Sequence, residues 1–199
     1  MAAIARRMAE NDCRVETERP YDRRMAIRSD TKNWTWVLRR ECPECGFDAS
    51  AVSARDVATL LKENAAAWPA VLRRHDVARR PDATTWSALE YGAHVRDVVR
   101  IFAVRLALML DVDEPRFDDW DQDATAVAAR YREQDPPTVA AELTTAADSL
   151  AAAFESVPDD AWERKGFRSD GSEFTIETLA RYFIHDPVHH LHDVTTSSG

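Results

Sequence analysis

Four long stretches of this sequence repeat their apolar residues every three to four positions. That period constrains the fold more than any other feature. In residues 53–74, Val57, Leu60, Leu61, Ala65, Trp68, Val71 and Leu72 draw one stripe along a helix. Ser53 offers an N-cap hydroxyl. Pro69 is expected to kink this helix, because proline removes a backbone donor and crowds the preceding turn. In residues 86–110, Leu89, Val95, Val98, Val99, Phe102, Leu106 and Met109 form the buried side, with Thr84 and Thr85 as candidate caps. Pro136-Pro137 marks the start of a third helix over 136–156, with Val139, Leu143, Ala147, Leu150 and Phe154 inward. A fourth begins near Thr175 and passes through Ile176, Leu179, Tyr182 and Phe183 to Val194. Four such segments joined by moderate connections predict an all-α four-helix bundle. Alternating period-2 runs are nearly absent, so no sheet is expected.

The remainder reads as connection. Residues 1–33 are charged and aperiodic and predict a mobile N-terminal arm. Met25 opens a more regular run, so residues 1–24 read either as a start-site extension or as an ordinary disordered terminus. Trp34-Thr35-Trp36-Val37-Leu38 reads as a short extended segment leading to a turn at Cys42-Pro43-Glu44-Cys45-Gly46. The expected organisation is therefore an irregular N-terminal arm with its Cys-x-x-Cys turn over 1–52, followed by a bundle domain over 53–196. An acidic aromatic loop spans 111–123, a short helical piece follows at 124–132, and a turn is expected at 166–171.

A chain of 199 residues has room for one such domain with a tail. Its net charge of −9 argues against a nucleic-acid binder, since neutralising phosphates needs a basic surface. No run approaches the ~18 apolar residues of a membrane span, and no hydrophobic run follows the opening Met-Ala-Ala-Ile-Ala-Arg-Arg-Met. The expectation is a soluble, cytoplasmic protein. Three cysteines, Cys13, Cys42 and Cys45, make a poor disulfide framework and agree with a reducing compartment.

The candidate chemistry lies in the histidines. Four of the six fall close together: His185, His189, His190 and His192. His185 and His189 are four apart and share one helical face, where two imidazoles can hold a divalent transition metal. His94 interrupts an apolar face on another helix, and facing bundle helices approach within ~8–10 Å, so it can add a third nitrogen. Three protein ligands with open positions describe a catalytic rather than a closed structural site. Asp186, Asp193, Asp97 or Glu90 can accept the distal imidazole N–H. The competing reading makes His94 a hydrogen-bonded core residue and the cluster a solvated face.

Cys42 and Cys45 form a second constellation, resembling one zinc knuckle. A closed site needs two more ligands, which Cys13 with His75 or His190 can supply. A redox dithiol and plain free thiols are the alternatives. The run Asp118-Asp119-Trp120-Asp121 reads as a cation-binding or pocket-gating loop, or as a solvated loop anchored by Trp120. Among Arg96, Arg100 and Arg105, which can grip a carboxylate, Arg105 sits on the most apolar stretch.

Residues 86–98, from Trp86 through His94 to Val98, resemble the second helix of the DinB/YfiT-like superfamily. The His185 to His189 segment resembles that superfamily's last helix. The resemblance covers about residues 53–194 and implies a four-helix bundle holding a divalent metal through His94, His185 and His189. Zinc is the leading ion, with nickel or iron as alternatives. It further implies an S-transferase or thiol-dependent isomerase acting on a small electrophile with a low-molecular-weight thiol, bacillithiol or mycothiol. The arginine- and alanine-rich composition fits an actinobacterial host and hence mycothiol. A metal-dependent hydrolase and a non-catalytic metal-binding stress-response module are the alternatives, and a homodimer is compatible with the apolar helices.

Overall fold

Three of the four long helices begin where a side chain accepts backbone donors that a helix start leaves unpaired, and the first instead continues a capped 3-10 turn. The structure, a computed structural model, describes residues 33–196, so all but the last residue of the mobile arm expected over 1–33, and Cys13 with it, lie outside the described residues. Ser53 accepts from the Arg55 amide and opens a 3-10 turn, Ala54–Asp56, which runs directly into α1, Val57–Leu72. Helix α2, Ala88–Asp111, starts at a reciprocal cap: Ser87 accepts from the Glu90 amide and Glu90 accepts from the Ser87 amide. Ser87 takes the place expected of Thr84 or Thr85, which instead satisfy Asp82. Asp121 caps α3, Gln122–Ala128, and Asp135 caps α4, Pro136–Glu155. Helix α5 runs Ile176–Thr196 straight through Pro187.

The four long helices form the bundle. Helices α1 and α2 each pack extensively on α4 and also on α5, but touch each other little. Helices α1 and α2 thus sit diagonally across the bundle, with α4 and α5 filling the sides between them. The core runs through Trp68, Leu106, Phe154 and Phe183, all buried. The Phe183 ring lies 5.0 Å from Phe102 and 6.1 Å from Phe154 between centroids. No helix among the described residues is long and apolar enough to cross a membrane.

Two expectations are corrected. Trp34–Leu38 is a 3-10 helix rather than extended. Asn33 accepts from both the Thr35 amide and hydroxyl, at 3.0 and 2.7 Å, which closes the backbone into a turn. A sheet is also present. Strand β1, Arg116–Phe117, runs parallel to β2, Lys165–Arg168, which pairs antiparallel with β3, Glu173–Thr175. These strands are two to four residues long, too short to show a period. The turn between β2 and β3 uses Gly171 at φ 92°, a conformation that L side chains rarely adopt. Arg164, just before β2, donates to the Met109 and Val112 carbonyls at 2.7 and 2.9 Å and satisfies the end of α2.

Gly166 of β2 lies so close to α2 that an added Cβ would stand 2.9 Å from Met109 Cγ and 3.0 Å from Phe117. Gly166→Ala is expected to destabilise the fold by about 1–3 kcal/mol through overpacking. Urea unfolding would measure it, and an unchanged midpoint would show that Met109 moves aside freely.

Candidate metal centres

Successive residues on a helix are rotated by roughly 100°, so neighbouring residues face different directions. Helix α5 carries two i, i+4 pairs offset by one residue: His185 with His189, and Asp186 with His190. The two pairs meet different partners. The trio expected from the sequence is accordingly divided. His94 converges with Asp186 and His190, whereas His185 and His189 converge with Cys42 and Cys45.

In the first cluster, His94 Nε2 stands 3.4 Å from Asp186 Oδ1, and His190 Nε2 stands 3.8 Å from Asp186 Oδ2. Two ligands bound about 2.1 Å from one ion at a tetrahedral angle are themselves about 3.4 Å apart. His94 is completely buried, and among the described residues neither of its ring nitrogens has a hydrogen-bond partner; Asp186 Oδ1 is likewise buried and unpartnered. Buried polar atoms are nearly always satisfied, so this orphaned pair fits a divalent cation. His190 Nδ1 lies 3.1 Å from Asp193 Oδ2, which fixes the ring with Nε2 toward Asp186.

The electrostatics agree. Burial pushes the His94 imidazole below its usual pKa and keeps it neutral, the form that ligates. Aromatic rings fix the His94 plane: Trp120 stacks on it at 5.3 Å and 8°, and Trp86 lies 5.2 Å away. Trp120 thus anchors the acidic loop at this centre, while Asp121 caps α3.

The cluster opens on a cavity of about 1610 Å³, lined among others by Tyr91, Arg105, Trp120, Arg168 and Tyr182. Of the three arginines singled out on α2, only Arg105 lines it. Arg96 and Arg100 pair with Asp97 and Glu142. Arg105 donates to the Asp118 carbonyl at 2.8 Å and packs 5.0 Å from both the Phe102 and Phe117 rings. Among the described residues it has no carboxylate within ion-pair distance. Burial, and then the charge of Arg168, lower its pKa.

In the second cluster, Cys42 Sγ is 3.7 Å from His189 Nδ1 and Cys45 Sγ is 3.8 Å from His185 Nε2. All four ligand atoms lie within 4.8 Å of one another. Burial, and then the neighbouring His189 ring, push His185 down to about 4, and burial also lowers His189. The partners suggested by spacing differ from these: His190 belongs to the first cluster, and Cys13 lies outside the described residues.

A sequence model of the DinB superfamily matches residues 70–194. No curated protein sequence matches the chain. Among solved structures, YfiT from Bacillus subtilis is similar at TM-score 0.67 and 19% identity, over 84% of this chain and 97% of that one. That protein is described as a probable metal-dependent hydrolase with an unusual four-helix bundle topology.

Proposed function

This chain belongs to the DinB superfamily, and we propose that it is a metal-dependent S-transferase whose ion is held by His94, Asp186 and His190. The observation that carries the reading is the completely buried, unpartnered His94 facing an equally unpartnered Asp186 oxygen beside a cavity. Two imidazoles and one carboxylate leave further coordination positions for a substrate. The donors suit zinc, with nickel or iron compatible. A divalent metal there supplies Lewis acidity that favours the thiolate form of an entering thiol at neutral pH.

The protein's own groups do the rest. The cavity exceeds the ~300–1,000 Å³ of an ordinary small-molecule pocket, which suits a bulky thiol of the mycothiol kind together with a second substrate. Arg105 offers a buried positive charge to an acidic group on either. Trp120 and Tyr91 wall the centre and limit water. In the reaction the thiol gives up its proton to solvent, its sulfur bonds to the electrophilic carbon, and the carbon–leaving-group bond breaks with the leaving group taking the electron pair.

A hydrolase is the second reading, favoured by the description of YfiT and by the same coordination set. One experiment separates them. Zinc-loaded protein is given a mycothiol-type thiol and monobromobimane, and in parallel a panel of esters and amides, each with and without chelator. Chelator-sensitive conjugation is expected, with Arg105→Ala weakening the use of acidic substrates. Chelator-sensitive hydrolysis without conjugation would replace the transferase by the hydrolase. Rates indifferent to chelation would discard both.

A further inference from the structure

The Cys42, Cys45, His185 and His189 cluster lies outside the reaction just described. We propose that it is a second metal site, a closed Cys2His2 zinc centre that staples the segment ahead of the bundle to its last helix. A zinc ion about 2.3 Å from sulfur and about 2.1 Å from nitrogen sets tetrahedral sulfur–nitrogen separations of about 3.6 Å. The observed 3.7 and 3.8 Å match this spacing, and they join two cysteines to two histidines about 140 residues later in the chain.

The local backbone is built for it. Cys42-Pro43-Glu44-Cys45-Gly46 forms a tight knuckle in which the Gly46 amide donates to the Cys42 carbonyl at 2.8 Å and the Cys42 amide donates to the Phe47 carbonyl at 2.9 Å. Gly46 takes φ 73°, a region where a side chain would be strained. The knuckle docks on α5 through Arg181, which donates to the Ala49 and Ser50 carbonyls.

Charge and coverage point the same way. Two thiolates and a divalent cation sum to zero, which suits a site where Cys42 is fully buried. His189 has Nδ1 toward Cys42 and Nε2 toward Glu44 and Asp193, at 3.6 and 3.7 Å, so carboxylates stand where the distal N–H of a ligating imidazole needs acceptors. Trp34 covers the cluster, 5.4 Å from both imidazole rings. Four protein ligands complete a tetrahedral set and leave no coordination position for substrate, even though His185 and His189 themselves line the cavity, so the site is structural. It also sets the cavity wall, since Trp34 and Glu44 line the cavity beside Asp186 and His190.

The test uses the full-length protein. Metal content is measured with zinc, the visible and near-ultraviolet spectrum is recorded after cobalt replacement, and thiol reactivity toward a disulfide reagent is followed before and after chelation. Expected are two zinc ions per chain, a thiolate-to-cobalt charge-transfer band, and, of the three thiols, two (Cys42 and Cys45) that react only once metal is stripped. Cys42→Ser/Cys45→Ser loses one ion and the band. His94→Ala loses the other ion and keeps the band, so failure of the proposed catalytic centre and failure of this site read differently. If the double serine variant does not fold, the wild-type band and thiol protection decide alone. A band-free cobalt protein with both thiols open to reagent overturns the proposal, as does a Cys42–Cys45 disulfide in protein purified under reducing conditions.

Discussion

Arg80→Ala is expected to destabilise the native state by about 3 kcal/mol in urea unfolding at neutral pH, the low end of the cost of orphaning a buried charge. Glu90 is buried, and its carboxylate accepts from Arg80 Nε at 2.9 Å, from the Arg80 terminal nitrogen, and from the Ser87 amide and hydroxyl, both at 2.8 Å. Truncating Arg80 removes the only cation in this set and leaves the carboxylate in a poorly solvated place. Burial alone would raise the Glu90 carboxyl, but Arg80 and Ser87 outweigh it and depress its pKa. The native pair therefore contributes its full stability above the ordinary glutamate pKa of about 4.3, and that contribution is lost as pH falls through the depressed native value. The gap between wild type and variant should shrink on acidification, because the orphaned Glu90 can then be protonated. Arg80→Ala/Glu90→Gln should recover most of the loss. A penalty below about 1 kcal/mol, constant with pH, would place this pair with ordinary surface ion pairs. The consequence reaches the metal centre, since Glu90 caps α2 one turn ahead of His94.

The bundle was legible because apolar periodicity acts locally: each of the four stripes needs only its own helix to show itself, and caps such as Ser53 sit within a residue or two of their targets. The short strands were not legible, because β1 is made by pairing with β2 some fifty residues away rather than by its own two residues. The centres were half legible. His94 and the histidine cluster stand out by residue type, but spacing together with the family resemblance paired His185 and His189 with His94. The interleaved pair Asp186 and His190 carries the same four-residue spacing, and a carboxylate followed four residues later by histidine is a ligand signal that counting histidines passes over. Which face of α5 meets α2 depends on how the bundle packs. That Cys42 and Cys45 meet the opposite pair depends on where a remote knuckle docks. Both are facts of tertiary contact, and no linear spacing encodes them.

That division gives the second large effect. His94→Ala removes the one ligand that α2 contributes to the Asp186 and His190 pair, and also empties the slot between Trp86 and Trp120. Metal affinity at that centre should fall by more than the roughly 10–100-fold that losing an outer hydrogen-bond partner costs, and chelator-sensitive turnover should vanish with it. Asp193→Ala sets the comparison. Asp193 touches no proposed ion; it lies 3.1 Å from His190 Nδ1 and 3.7 Å from His189 Nε2, between the two centres. Its loss should weaken metal binding at the first centre by about 10–100-fold while leaving turnover at saturating metal near wild type. Titrations with a competing chelator, read together with activity at saturating metal, separate the two roles. Equal and complete loss in both variants would mean that the structure of α5, rather than the ligand set, had been damaged. Wild-type affinity in His94→Ala would remove His94 from the metal centre and, with it, the reaction assigned there.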